Sequence, residues 1–139
     1  MLSTRTHRAL SLEGARQLAD AALTEARRRN GTVAAAVVDP EGGLILFQCM
    51  DGTQPASQDI AILKARTAAR MRRPTRTLED SAAAGRPGFL SLPGMLLLEG
   101  GVPVRVEGEL VGALGSSGMT SAEDGVIAAA ALAAVGATG

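Results

Sequence analysis

Aromatic side chains are almost absent from this sequence. The 139 residues include two phenylalanines, Phe47 and Phe89, and neither tryptophan nor tyrosine. The hydrophobic core must therefore be built from Ala, Val, Leu, Ile and Met, and each of the many alanines buries little area. Such a core is thin, so we expect the protein to bury further apolar surface by forming a homo-oligomer.

Cysteine and histidine are equally scarce, with one of each, Cys49 and His7. A lone cysteine excludes an internal disulfide, and this pair cannot supply the ligands of a structural zinc site. The sequence therefore predicts no metal site. Because Cys49 lies in an apolar run without a histidine nearby, we expect it to be a small core side chain and not a nucleophile.

The chain also lacks net charge and long apolar runs. Fourteen basic residues balance fourteen acidic ones, which removes the positive field that most nucleic-acid binders use. No segment reaches the roughly 18 apolar residues of a membrane span, and residues 1–14 lack the apolar run of a secretory signal. These features favour a cytoplasmic protein with neither nucleic acid nor membrane as a partner.

The apolar periodicity predicts a single domain over residues 11–139, preceded by a flexible arm over residues 1–10 that carries His7. Helices are predicted to begin at four capping residues, Ser11, Ser57, Thr77 and Ser121. Two hairpins are predicted, one from residues 32–39 with 44–50 and one from residues 102–106 with 110–116. Helices before, between and after two hairpins indicate an α+β fold with one antiparallel sheet.

Lys64 is the only lysine, against thirteen arginines. It lies on the helix predicted from Ser57 to Arg73, beside an apolar stripe that includes Ile60 and Leu63. One interpretation is that its stem covers apolar surface while its ammonium reaches water. The other is that a compact positive charge points into a pocket. Periodicity alone does not decide between them.

The second half contains two unusual stretches. Gly112 and Gly115 lie inside a predicted strand, which indicates close approach of a ligand or another backbone. This strand leads into a helix N-terminus, a typical anion site. The segment 86–101 carries large apolar side chains, Phe89 and Met95 among them, between prolines and glycines. We expect it to fold over a neighbouring subunit or a flat ligand, with the sheet of the same chain as the alternative.

Short fragments, in order, resemble the GlcG/HbpS-like family, often called heme-binding and related to the C-terminal domain of PduO-type adenosyltransferases. They are MDG, PAS, DIA, KARTA and RRPT around Lys64, then LPG, GGVPV, VGALG, TS and ED. The resemblance covers roughly residues 10–137. It implies an α+β domain with one antiparallel sheet flanked by helices, assembly into homo-oligomers, and heme as a candidate cofactor.

Two hypotheses on function follow, and both centre on Lys64. The first is a pocket for a carboxylate-bearing small molecule, such as heme or another tetrapyrrole, bound without histidine ligation because His7 lies in the arm. Its predicted lining is Lys64, Gly115, Ser116, Ser117, Thr120, Met50, Phe89 and Met95. The second is an enzyme acting on a small organic acid, with Lys64 as base or Schiff-base amine. Its proton partner would be Asp39 or Glu123, with Asp124 a further carboxylate expected near the lysine.

The predicted assembly can be measured directly. We expect light scattering at micromolar protein concentration to give a mass that is a multiple of 14.1 kDa, because the alanine-rich core leaves apolar surface for a subunit contact. A mass of one chain would contradict this prediction.

Overall fold

The computed structural model describes all 139 residues and contains four α-helices, one short 3-10 helix and four strands. In chain order these are α1 (Leu12–Arg28), β1 (Ala34–Val38), β2 (Leu44–Cys49), α2 (Ala56–Met71), α3 (Thr75–Ala83), the 3-10 helix Pro87–Ser91, β3 (Gly101–Val106), β4 (Glu109–Ser117) and α4 (Ser121–Ala134). The predicted α+β class is confirmed. None of the helices has the length and apolar character that crossing a bilayer requires.

The four strands form one antiparallel sheet in the order β2-β1-β4-β3. Both predicted hairpins are present, and pairing of β1 with β4 joins them. In that pairing Ala34 lies opposite Ser117 and Val38 lies opposite Ala113. The start of β1 therefore lies between the end of β4 on one side and the end of β2 on the other.

The sheet is the middle layer of three. Ala35 and Val37 belong to a core cluster shared with α1 and α4, whereas Ala34 and Ala36 belong to a second cluster shared with α2. Because successive side chains of a strand point to opposite faces, α1 and α4 cover one face and α2 covers the other. This explains why β1 is a continuous apolar run, as expected for a strand buried on both faces.

Strict alternation along residues 44–50 predicts Ile45 on the face opposite to Leu44, Leu46 and Met50, and strand β2 departs from this pattern. The register shifts between Val37 and Val38, which pair with Leu46 and Leu44, so Ile45 is the extra residue of a β-bulge. Ile45 consequently packs on the cluster shared with α1 and α4, and the prediction that it faces the opposite way is wrong. The predicted burial of Cys49 is also wrong: its side chain is exposed at the end of an edge strand.

Three of the predicted helix starts are shifted by one to three residues. The residues that precede the first turns are Pro55, Pro74 and Thr120, whereas Ser57, Thr77 and Ser121 lie inside the helices. Proline suits this position because its fixed φ matches the helix and its missing N–H is not needed there. Thr120 accepts a hydrogen bond from the Glu123 amide and donates one to the Glu123 carboxylate, so α4 is capped one residue before the predicted Ser121.

Helix α2 lies unusually close to the sheet. A side chain at Gly115 would collide with the carbonyl oxygen of Ala61, and one at Gly101 would collide with the carbonyl oxygen of Lys64. These two glycines are paired across β3 and β4. The predicted close approach of another backbone at Gly115 is therefore present, and the approaching backbone is that of α2.

We expect Gly115→Ala to destabilise the protein by about 1–3 kcal/mol, because the added methyl group forces α2 away from β4. The matched control is Gly88→Ala, since no atom lies within 4 Å of the methyl group added there; its effect should stay within about 0.5 kcal/mol. Chemical denaturation of both variants measures the difference. Equal stabilities would show that α2 can shift without cost.

Candidate functional site

Lys64 is buried, with 2% of its side chain exposed. Its Nζ donates hydrogen bonds to the backbone oxygen of Ser116 and to Oδ2 of Asp124, both at 3.1 Å. The interpretation that its ammonium reaches water is therefore wrong. The charge does point inward, but it meets a carboxylate of the same chain.

The Lys64 side chain passes from one face of the sheet to the other. It starts on α2, and its partner Asp124 lies on α4, which packs on the opposite face. The passage lies beside Gly100, where an added Cβ would be 2.7 Å from Nζ and 3.0 Å from Cδ of Lys64. Gly100 also has φ +132°, which favours glycine. Because Gly100 has no side chain, the Lys64 side chain can pass from one face of the sheet to the other at this point.

Asp124 is the second member of this pair and is likewise 2% exposed. Its Oδ1 accepts a hydrogen bond from the Met119 amide at 3.0 Å. Burial raises the pKa of Asp124 above its ordinary value, and the Lys64 charge and the Met119 amide offset only part of this effect. A carboxylate of the chain itself thus lies at the helix N-terminus where the sequence predicted an anion.

The residues predicted to converge do so only in part. Lys64, Gly115, Ser116 and Asp124 come together, and the Ser116 hydroxyl is buried without a hydrogen-bond partner. Ser117 follows Ser116 and is 4% exposed. The side chains of Thr120 and Glu123 bond to each other at the start of α4.

Asp39 lies apart from this group. It follows β1, whereas Ser116 pairs with Ala35 near the start of that strand. Its Oδ1 accepts hydrogen bonds from the amides of Glu41 at 2.8 Å and Gly43 at 2.9 Å. Asp39 therefore shapes the turn between β1 and β2, and the expectation that it approaches Lys64 is wrong.

The apolar residues predicted to line the pocket lie on different faces of the sheet. Met50 packs with the cluster shared with α1 and α4. The segment that contains Met95 lies over α2, because the amide of Leu96 donates to the Thr67 hydroxyl at 2.9 Å. Phe89 lies in the 3-10 helix, with the Arg86 guanidinium 5.0 Å from its ring centroid. Within one protomer these side chains do not surround Lys64.

A cleft that the sequence did not predict opens where β2 ends. Its volume is about 360 Å³, and its lining is Leu23, Arg27, Cys49, Met50 and Asp51. We call it the sulfur cleft, because it contains the only thiol of the chain beside a thioether. Arg27 makes no ion pair within the chain, in contrast to its neighbours Arg28 and Arg29, which both bind Glu25. The adjacency of Cys49, Met50 and Asp51 was the only signal of this cleft in the sequence.

Unsatisfied polar atoms collect at the same end of the sheet. Four buried side-chain atoms have no hydrogen-bond partner: Gln48 Oε1, Thr53 Oγ1, Ser57 Oγ and Ser116 Oγ. Gln48 and Ser116 flank Ala35 in one row across the sheet, next to the row that contains Cys49. Thr53 and Ser57 follow Asp51 along the chain. Gln48 and Ser116 share the face of Ala35, which packs with α1 and α4, whereas Ser57 lies on α2 on the other face. The four atoms therefore share an end of the sheet but do not form one site.

Comparison with known proteins identifies relatives over most of the chain. The model of the family described as "Haem degrading protein HbpS-like" matches residues 10–133. Protein GlcG of Escherichia coli strain K12 is 41% identical over 108 residues, which cover 78% of this chain and 81% of GlcG. Sequence similarity thus extends over most of the domain.

Two solved structures share the fold over nearly the full length. A double mutant of HbpS from Streptomyces reticuli superimposes with a TM-score of 0.85 at 36% identity, covering 95% of this chain and 89% of that one. A complex of PduOC with heme superimposes with a TM-score of 0.85 at 29% identity, covering 94% of this chain and 97% of that one. The arrangement of sheet and helices is therefore common to these proteins.

We expect Lys64→Met to destabilise the protein by about 3–5 kcal/mol, because it leaves the Asp124 carboxylate buried and unpaired. The double variant Lys64→Met with Asp124→Asn should recover part of this loss, since neither side chain is then charged. Arg28→Met is the matched control: its side chain is 72% exposed, so breaking that ion pair should cost about 1 kcal/mol or less. Denaturant unfolding measures all three, and a Lys64→Met cost equal to that of the control would contradict the buried pair.

Proposed function

Because the chain belongs to the HbpS-like family, we propose that it binds a carboxylate-bearing tetrapyrrole, with heme as the leading candidate, in the sulfur cleft. The observation that carries this proposal is that the cleft brings an exposed thiol, a thioether and an unpaired guanidinium together at the end of β2. The description of the family and the heme complex of PduOC support the choice of ligand.

The residues of the cleft fit heme in their chemistry. Cysteine thiolate and methionine thioether are both known axial ligands of heme iron. The Cys49 thiol is exposed, and its one polar contact is a weak 3.7 Å hydrogen bond to the Met50 carbonyl. Arg27 provides an unpaired guanidinium, the group best suited to a propionate. When bound, heme would supply a Lewis-acidic, redox-active iron, and these side chains would hold and orient it.

Lys64 has an indirect role in this proposal. Its ammonium donates hydrogen bonds to Asp124 and to the Ser116 carbonyl. Lys64 therefore fixes the end of β4 and the start of α4 beside the ligand. Of the predicted site residues, Met50 lines the cleft, and Ser116 lies two strands away in the row of Gln48. The alternative of an enzyme with Lys64 as its base gains no support, because a substrate cannot reach an ammonium that is 2% exposed.

We also propose that the segment 86–101 contributes to a contact between subunits. Leu90 in its 3-10 helix is 72% exposed, which is high for a large apolar side chain. The segment lies over α2 and α3, where its backbone amides at Leu96 and Glu99 donate to Thr67 and Glu79. It therefore presents Leu90 on a fixed surface, as a homo-oligomer contact requires.

Titration with hemin, followed by absorbance, tests the site. We expect the wild type to bind, Cys49→Ser to change the spectrum, and Arg27→Gln to weaken binding roughly tenfold to a hundredfold through loss of a charge-assisted hydrogen bond. Arg16→Gln, on the same helix as Arg27, is the matched control and should bind as the wild type does. His7→Ala should retain the wild-type spectrum, because the ligand is expected not to be an imidazole.

Two results would contradict this assignment. Loss of the hemin spectrum in His7→Ala, with the Cys49 and Arg27 variants unaffected, would place the ligand elsewhere on the protein. No saturable binding by the wild type would remove heme as the ligand. In that case the same variants should be compared with iron-free carboxylated tetrapyrroles by thermal shift, since a bound ligand raises Tm.

A further inference from the structure

A second cleft lies at the other end of the sheet, next to the residues that follow β1. Its volume is about 200 Å³, and its lining is Arg5, His7, Pro40, Glu41, Arg72, Glu109 and Leu110. We call it the arginine cleft. The sulfur cleft adjoins Cys49, which pairs with Ala34 at the first residue of β1, so the length of β1 separates the two.

The arginine cleft contains more unpaired positive than negative groups. The guanidinium groups of Arg5 and Arg72 form neither a hydrogen bond nor an ion pair within the chain. Glu109 is already satisfied, because the amide and the Nε of Arg8 both donate to it at 2.9 Å. These bonds hold the pKa of Glu109 below its ordinary value. Glu41 is the one carboxylate left unpaired in the lining.

Two further guanidinium groups approach the turn that carries Glu41. Arg70 donates to the backbone oxygen of Glu41 and Arg66 to that of Gly42, both at 3.0 Å. Together with Arg5 and Arg72, these two guanidinium groups outnumber the two carboxylates of that turn, Asp39 and Glu41. The local electrostatic potential therefore favours an anion, although the chain as a whole is neutral.

The N-terminal segment is held where it can contribute to this cleft. Arg8 donates to the Val106 carbonyl at 2.9 Å, and the amide of Leu10 donates to the Val111 carbonyl at 2.8 Å. These bonds attach residues 8–10 to the hairpin of β3 and β4. Arg5 and His7 lie directly before the attachment, so their side chains are brought to the cleft by a fixed anchor.

Arg72 has a backbone conformation that is costly for an arginine. It ends α2 with φ 56° and ψ 36°, in the left-handed region that glycine usually occupies after a helix. Its carbonyl accepts a hydrogen bond from Arg105 Nη2 at 3.0 Å, which stabilises this geometry. Residues held in such conformations often serve a functional site. Here the conformation places an unpaired guanidinium in the cleft.

We propose that the arginine cleft binds a small oxyanion with two negative charges, such as a short dicarboxylate or a phosphate. Two guanidinium groups can each bind a pair of oxygens, and the imidazole of His7 can donate a further hydrogen bond. A volume of about 200 Å³ equals that of several water molecules of about 30 Å³ each, which suits such an ion and is too small for a tetrapyrrole. This site does not depend on the proposed tetrapyrrole site.

His7 provides a specific probe, because it is the only histidine of the chain. We expect malonate and inorganic phosphate, added separately at pH 7 and constant ionic strength, to shift the NMR signals of its ring in a saturable manner. Acetate, with one charge, should bind at least tenfold more weakly.

Arg72→Gly is the decisive variant. Glycine adopts φ 56° without strain, so the Tm of this variant without ligand should not fall below that of the wild type. It should nevertheless lose at least tenfold in affinity for malonate and phosphate, and it should bind hemin as the wild type does. Arg86→Gln is the control, because Arg86 contacts Phe89 outside the cleft; it should retain the wild-type affinity.

Three outcomes would overturn the proposal. The first is a His7 shift of equal size in the wild type and Arg72→Gly. The second is a shift that grows without saturation, which indicates a general salt effect. The third is a loss of affinity for malonate and phosphate in Arg86→Gln that is as large as the loss in Arg72→Gly. Loss of hemin binding alone would leave this proposal intact, so failure here is distinguishable from failure of the tetrapyrrole site.

Discussion

The ion pair between Lys64 and Asp124 connects helices on opposite faces of the sheet, and much of the surrounding structure depends on it. A buried ion pair adds little net stability, because desolvation of both charges offsets their attraction. Its effect is on specificity, because the 3.1 Å contact requires α2 and α4 to be placed so that the two groups meet. Other placements would leave a charge buried and alone.

Small side chains make this connection geometrically feasible. Lysine can cross the sheet because Gly100 has no side chain, and α2 can approach β4 because Gly115 has none. The apolar cluster on that face consists almost entirely of alanines. These small side chains keep α2 close to the sheet, and the one ring that packs against this cluster, that of Phe47, is only partly buried.

Much of the fold could be predicted from local patterns. The two hairpins follow from their turn residues, the first helix from its Ser11 cap, and the left-handed end of α1 from Asn30, whose φ is 58°. The errors arise where pairing between distant segments decides the outcome. Cys49 is exposed because β2 is an edge strand, and that depends on β1 pairing with β4, which no local pattern indicates.

The candidate sites, too, could be predicted only where a local pattern decides the outcome, and not where distant segments meet. Periodicity located Lys64 beside a buried face of its helix. Its partner, Asp124, lies 60 residues away along the chain. In the sequence, Asp124 could be interpreted as part of a capping box. Each cleft is likewise formed by residues from several elements, such as Arg27 with Cys49 or Arg5 with Arg72. Their proximity depends on the packing of layers, which the sequence does not encode in any one stretch.

The burial of Lys64 also determines how the protein responds to reagents that acylate amines. Its ε-amino group is the only one in the chain, and in the native state it is enclosed by the sheet, α2 and α4. A reagent can modify this nitrogen only in molecules in which those layers have transiently separated. The rate of acylation at one atom therefore reports how often the three layers of the domain come apart.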